Sequence, residues 1–144
     1  MTTLDDIRRL GSTEVGLCVA ATTRADGSVH TSVVNAGVIA HPVTGAESVA
    51  FVARGDALKV KLIARSGRAS VTFRRGWRWG AVEGPASLVT AADLPAGQEL
   101  APLLRAVFAA AGGTHDDWDE FDRVMAAENR LAVFVTPERI TGQA

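Results

Sequence analysis

Over residues 15–24 the chain runs in steps of two: Val15, Leu17, Val19 and Ala21 alternate with Gly16, Cys18, Ala20 and Thr22. That period predicts a β-strand, and because both sets are small or apolar it predicts one covered on both faces, as in a barrel wall. Ala25-Asp26-Gly27-Ser28 carries the Asp-Gly pair that hairpins favour. The return strand, residues 29–39, puts His30, Ser32, Val34 and Ala36 on one face and Thr31, Val33, Asn35 and Gly37 on the other. One of those faces is unusually polar and small for a core. Val49, Phe51 and Val52 mark a third strand, ended by Gly55. Ala69, Val71 and Phe73 alternate with Arg68, Ser70, Thr72 and Arg74, and a turn near Arg75 and Gly76 leads into a long strand through Trp77, Trp79 and Ala81 to Val89. A final strand covers residues 131–135.

Helical spacing fills the intervals. Leu4, Ile7 and Leu10 give an apolar edge to a short N-terminal helix, with Asp5 and Asp6 in its first turn, Arg8 and Arg9 in its last, and Gly11 ending it. After the third strand, Asp56 can cap a basic helix in which Leu58 and Leu62 share one face, Lys59 and Lys61 point elsewhere, and Gly67 breaks the run. Leu100, Leu103, Leu104, Val107 and Phe108 recur at helical spacing, with Pro102 in the first turn and Gly112-Gly113 as the stop. Thr114 and Asp117 start another helix with Trp118, Phe121, Val124 and Met125 as its apolar face. About six strands, mostly antiparallel and hairpin-joined, with helices inserted between them, predict a mainly-β fold: one β-barrel domain over residues 1–144, with peripheral helices.

Composition narrows the class. With 144 residues, 47% hydrophobic and 22% charged, the chain can bury a core without staples. A formal net charge of −1 offers no whole-molecule field to attract nucleic acid or a membrane, so neither is expected as a partner. The charge is unevenly placed, however. Arg54, Lys59, Lys61, Arg65, Arg68, Arg74, Arg75 and Arg78 crowd one stretch against the single acid Asp56. The one cysteine, Cys18, excludes an internal disulfide and a thiolate metal cage. No leader and no long apolar run is present, so a cytoplasmic protein is expected.

Hydrolytic chemistry finds little support. His30, His41 and His115 fall in a strand, a loop and a helix start, with no G-x-S-x-G or H-E-x-x-H pattern around them. Cys18 and His30 could pair across the first hairpin, but an apolar strand favours an inert buried thiol. His115 with Asp116, Asp117 and Asp119 reads as a solvated helix start rather than a metal site, since adjacent acids on a helix do not converge. The basic helix is a better candidate: Lys59 and Lys61 follow a helix start, where free N–H groups already favour an anion, and Arg54 is nearby. Trp77 and Trp79, two apart, are expected to share a strand face, as core or as a flat wall for a ligand or partner subunit.

These segments together resemble the split-barrel flavin and deazaflavin oxidoreductases related to pyridoxamine 5′-phosphate oxidase, in particular the actinobacterial coenzyme F420 branch (the B type). The resemblance is carried, in order, by TTRADGSVHTSVVNAG, ALKVKLIARSGRASVTFRRGWRWGAVEGPASLV and AAGGTHDDWDEFDRVMAAENRLAVFVTPERI, most of the chain. It implies an FMN-binding split barrel that works as a homodimer with cofactor sites at the subunit interface. It implies that Lys59 binds the cofactor phosphate with Arg54 and Lys61 near it. Ser32, Val33, Val34, Asn35 and Ala36 would line the ring, partly through backbone groups, and Trp77 and Trp79 would approach the site. Leu58 stands where many relatives carry an arginine, and Gly67 replaces a frequent proline, which leaves Arg54 and Lys61 as substitute phosphate ligands.

The expected activity is hydride transfer between reduced F420 and an unsaturated small organic substrate, with FMN as the alternative cofactor and no metal. No proton donor is assigned: Ser32, His30 and water are all open. The rival classes are a non-catalytic cofactor or tetrapyrrole carrier and, against the acidic helices and missing motifs, a small-barrel RNA binder.

Overall fold

The computed structural model describes residues 1–12 and 15–144. Its strands are β1 (Leu17–Thr23), β2 (Val29–Ala40), β3 (Glu47–Arg54), β4 (Arg68–Arg75), β5 (Arg78–Val89), β6 (Arg130–Val135) and β7 (Arg139–Gln143). All pairings are antiparallel, in the order β4-β1-β2-β3-β6-β5-β7, and a further β4–β5 pairing closes the first six of these into a barrel. The long β5 makes the closure possible. Its first part pairs with β4 on one side and β7 on the other, and its last residues, Ala86 to Val89, pair with β6. At the bend, Gly84 lies so close to the Thr136 carbonyl that a Cβ would collide with it.

The core is double. Inside the barrel pack Val34, Ala36, Phe51, Val71, Phe73, Val82, Val133 and Val135, with α1 (Leu4–Ser12) and α2 (Leu58–Ser66) closing over them. Outside, Ala50, Ala132 and Phe134 pack against α3 (Leu100–Ala110) and α4 (Trp118–Ala127) through Leu104, Val107 and Phe121. Strands β3 and β6 are therefore buried on both faces, which is why they read as unbroken apolar runs. At Gly37 of β2, α3 comes so near that a Cβ would land on the Ala110 carbonyl.

The predicted mainly-β barrel with peripheral helices is the observed architecture, with local corrections. Strand β7 was not anticipated, because a five-residue strand with alternating exposed residues and a glycine next to its end carries little signal. The first strand is not covered on both faces: Leu17 and Val19 are exposed while Cys18 and Ala20 are buried. It starts after Val15, which adopts φ +54°, and Gly16. Helix α1 passes through Gly11, whose missing side chain admits Phe73, and is capped by a reciprocal Thr3–Asp6 pair. In α2 the buried residues are Val60 and Ile63 rather than Leu58 and Leu62, and the N-cap is Ala57, with no side-chain cap. Asp56 turns instead to Arg54. In α4 the cap is Asp117, which accepts from the Glu120 N–H, and Thr114 lies outside the helix.

Trp77 is not on a strand face. Arg75 pairs with Arg78, leaving Gly76 and Trp77 as a two-residue turn, with Gly76 supplying φ +60° at the first position. The expected common face for the two indoles is lost, because the turn takes Trp77 out of the alternation.

Candidate functional site: a cationic rim beside an apolar cleft

Three cations meet where β3, α2 and β6 adjoin. Arg54 ends β3 directly opposite Arg130, the first residue of β6. Gly55 follows, and its N–H bonds the Asn129 carbonyl at 3.0 Å, so the chain leaving β3 is tied to the α4–β6 turn. A side chain at Gly55 would press on that same carbonyl, and Asn129 itself adopts φ +53°, where asparagine is well tolerated. The tether holds the start of α2 against the α4–β6 turn, within reach of the Arg130 charge on Lys59.

The charges do not balance. Glu128 accepts from Arg130 (3.2 Å) and, more loosely, from Arg54 (3.4 Å), and Asp56 lies 3.4 Å from Arg54. Lys59 is half-buried and has no hydrogen-bond or ion-pair partner among the described residues. Burial first, and the Arg130 charge second, hold its pKa below the ordinary lysine value. A desolvated ammonium near a guanidinium is a site that an anion would relieve, and a phosphate group is an anion such a donor set suits.

Beside this rim lies a cleft of about 160 Å³, lined by Asn35 of β2, Val52 of β3, Arg130, and Val107, Phe108, Phe121 and Met125 of the helices. Asn35 is fixed by donating to the Val15 carbonyl at 2.9 Å. The two roof helices are clamped by Arg105 of α3, which donates Nε–H to Asp122 of α4 at 3.0 Å, ion-pairs with it through Nη2, and lies 5.5 Å from the centre of the Trp118 ring. That pairing holds the Asp122 carboxyl below the usual carboxylate range.

The predicted site residues separate accordingly. Arg54 and Lys59 are brought together, while Lys61 lies exposed on another side of α2. Of the β2 residues, Val33 and Asn35 face outward toward the cleft side. Ser32, Val34 and Ala36 face the barrel interior, so only their backbone can contribute outside. Ser32 Oγ and Thr22 Oγ1 are buried there without hydrogen-bond partners. Trp79 shares the outward face with Asn35, but β1 and β4 lie between their strands, roughly 14 Å at the usual strand spacing. Within one chain neither Trp77 nor Trp79 reaches the rim.

Arg130, Val52, Phe108, Phe121 and Met125 were missed. They come from β3, β6 and two helices far apart in sequence, and the one available signal was the charge of Arg130 just before the apolar run of residues 131–135.

Other candidates are inert in this geometry. Burial pushes the Cys18 thiol up to about 12, and it donates to the Val34 carbonyl at 3.5 Å. His30 sits opposite Thr22, four residues along β1 from Cys18, so the two do not pair. His115 Nδ1 accepts from the Asp117 N–H, and no metal-binding cluster exists among the described residues.

No protein-family model matches the chain, and no curated protein matches it in sequence. Solved structures do match in fold. A Listeria innocua protein assigned as a pyridoxamine 5′-phosphate oxidase aligns over 96% of each chain at 12% identity, with a TM-score of 0.60. An F420 reductase aligns over 88% of this chain and 90% of its own at 14% identity, TM-score 0.60. HutZ, the heme storage protein of Vibrio cholerae, aligns over 99% and 96% at 13% identity, TM-score 0.59. At such identities the likeness shows the split-barrel fold alone, and these three neighbours bear unlike names, an oxidase, a reductase and a heme storage protein.

Proposed function

We propose that this protein is an F420-dependent oxidoreductase that acts as a homodimer. The observation that carries the reading is the unpartnered Lys59 beside Arg130 at the mouth of an apolar cleft. Lys59, Arg130 and Arg54 hold the cofactor phosphate. Val33, Asn35 and Val52 form the wall against which its ring lies, and Phe108, Phe121 and Met125 keep water from that side. Bound there, reduced F420 supplies a hydride to an unsaturated organic substrate.

A cleft of about 160 Å³ is smaller than the ~300 Å³ at which small-molecule sites usually begin, so another surface must complete it. A second copy fits that need. Away from the end of β2 and the end of β5, which α3 and α4 cover, the outward face of the sheet exposes Val33 (67%), Leu17 (46%) and Val19 (42%) in adjoining rows with Thr72 and Ala81. Trp79 lies on that same face, available to a second copy.

The test is a titration of the purified protein with F420, FMN and hemin side by side, then stopped-flow oxidation of reduced F420 with a panel of enones and quinones. Tight F420 binding with turnover supports the reading. A tight flavin makes FMN the cofactor instead, and binding without oxidation of any substrate makes the protein a carrier. Val33→Glu should give monomers in sedimentation with an unchanged circular dichroism spectrum and weakened F420 binding. A monomeric wild type would remove the dimer from the reading.

A further inference from the structure

The hairpin between β4 and β5 carries a feature the cofactor site does not use. Its tip reads Arg74-Arg75-Gly76-Trp77-Arg78, and Trp77 at the apex is 94% exposed. Around it Arg75 and Arg78 pair on the α1 side of the sheet, while Arg74 lies on the opposite face and donates only to the Gly76 carbonyl at 3.1 Å. None of the three arginines has a carboxylate partner among the described residues. Arg9 extends the positive surface on the α1 side, where it lines a shallow pocket with Arg75 and Arg78. The acidic side chain in that pocket, Asp6, is engaged by Arg9 and Thr3, and Ala144 completes its lining.

We infer that this hairpin docks the protein onto an anionic lipid bilayer. A single indole at the apex of a β-turn, ringed by guanidinium groups on both faces, matches a planar surface with an apolar interior and a phosphate layer above it. The indole enters the interfacial zone and the arginines contact headgroup phosphates. Single-stranded nucleic acid is a poorer match, because successive bases need a row of stacking side chains along a basic groove, and Trp79, 37% exposed, lies back on the sheet. The net charge of −1 conceals the patch, since the acids lie elsewhere. The inference is independent of which cofactor the cleft takes.

The test is co-sedimentation of the full chain with vesicles of phosphatidylcholine containing about a third phosphatidylglycerol, and with phosphatidylcholine alone. Binding should require the anionic lipid and be released as salt shortens the Debye length from ~10 Å at 0.1 M to ~3 Å at 1 M. Each of Arg75→Gln and Arg78→Gln should lower partitioning about fivefold, the ~1 kcal/mol expected per basic residue at such a surface. Trp77→Ala should abolish the quenching of wild-type tryptophan fluorescence by lipids brominated near the headgroup. Absence of binding, binding insensitive to these three changes, or salt-sensitive binding to single-stranded RNA with none to vesicles overturns the inference. So does a wild-type dimer in which Trp77 is shielded from acrylamide before lipid is added.

Discussion

Lys59 feels the positive charge of Arg130, and of the two only the arginine has a carboxylate partner among the described residues. Lys59→Ala should therefore weaken binding of the phosphate-bearing cofactor by roughly 1.5–3 kcal/mol, the worth of a charge-assisted contact. It should leave the unliganded protein as stable as before or slightly more so, since a repulsion is removed. Affinity by titration and unfolding by denaturant check the two halves separately. Loss of stability without loss of affinity would make Lys59 structural.

The same pair sets a pH dependence. Because the folded-state pKa of Lys59 is lowered, its charged form penalises the fold. Stability should rise as pH climbs through that lowered value toward 10.5, and this rise should be missing in Lys59→Gln. A bound anion restores the charge, so binding in that window takes up a proton. Calorimetry in two buffers of different ionisation enthalpy measures the uptake directly.

His41 predicts a slope of the same sign nearer neutrality. Its Nδ1 accepts from the Val43 and Thr44 N–H groups at 3.1 and 3.3 Å, so the ring is neutral with Nε2–H donating to Ser87 Oγ at 3.0 Å. Burial lowers its pKa below 6.5. The unfolded chain protonates first as pH falls, so stability is lost from 6.5 downward until the lowered folded value is reached. In His41→Asn, whose Oδ1 can accept from the same turn without titrating, that loss should disappear from denaturant unfolding measured between pH 7 and 5.

Cys18, with a thiol at about 12 and under the barrel wall, should resist alkylation by iodoacetamide at pH 8 in the native protein and react on unfolding. Ready labelling of folded protein would show that β1 opens, and would revive a reactive role for the thiol.

Gly37→Ala tests how the cleft gets its roof. The added Cβ meets the Ala110 carbonyl, backbone that cannot rotate away, so the end of α3 must move. A cost of about 1–3 kcal/mol in unfolding free energy is expected. Cofactor affinity should fall with it, because Val107, Phe108 and Ala111 line the cleft.

Much of this was legible in the chain. The two-residue period of Val71, Phe73 and their neighbours, the Asp-Gly turn and the helical spacing of Leu104 and Val107 are local signals, and local signals survive without tertiary context. Lys59 and Arg54 were legible as well, since both flank one turn. Leu58 misled because spacing identifies an apolar edge without saying which edge is buried, and Val60 and Ile63 won by facing the barrel. Trp77 misled because one residue of turn geometry decides whether alternation continues.

The order of apolar and polar residues by itself determined strands, helices and a barrel of antiparallel hairpins, because burying alternate side chains leaves few other architectures for them. Which residues became a site was decided only in three dimensions. Arg130 joins Lys59 through the Gly55–Asn129 backbone bond and the β3–β6 register, and contacts between residues more than seventy positions apart leave no periodic trace in a single chain.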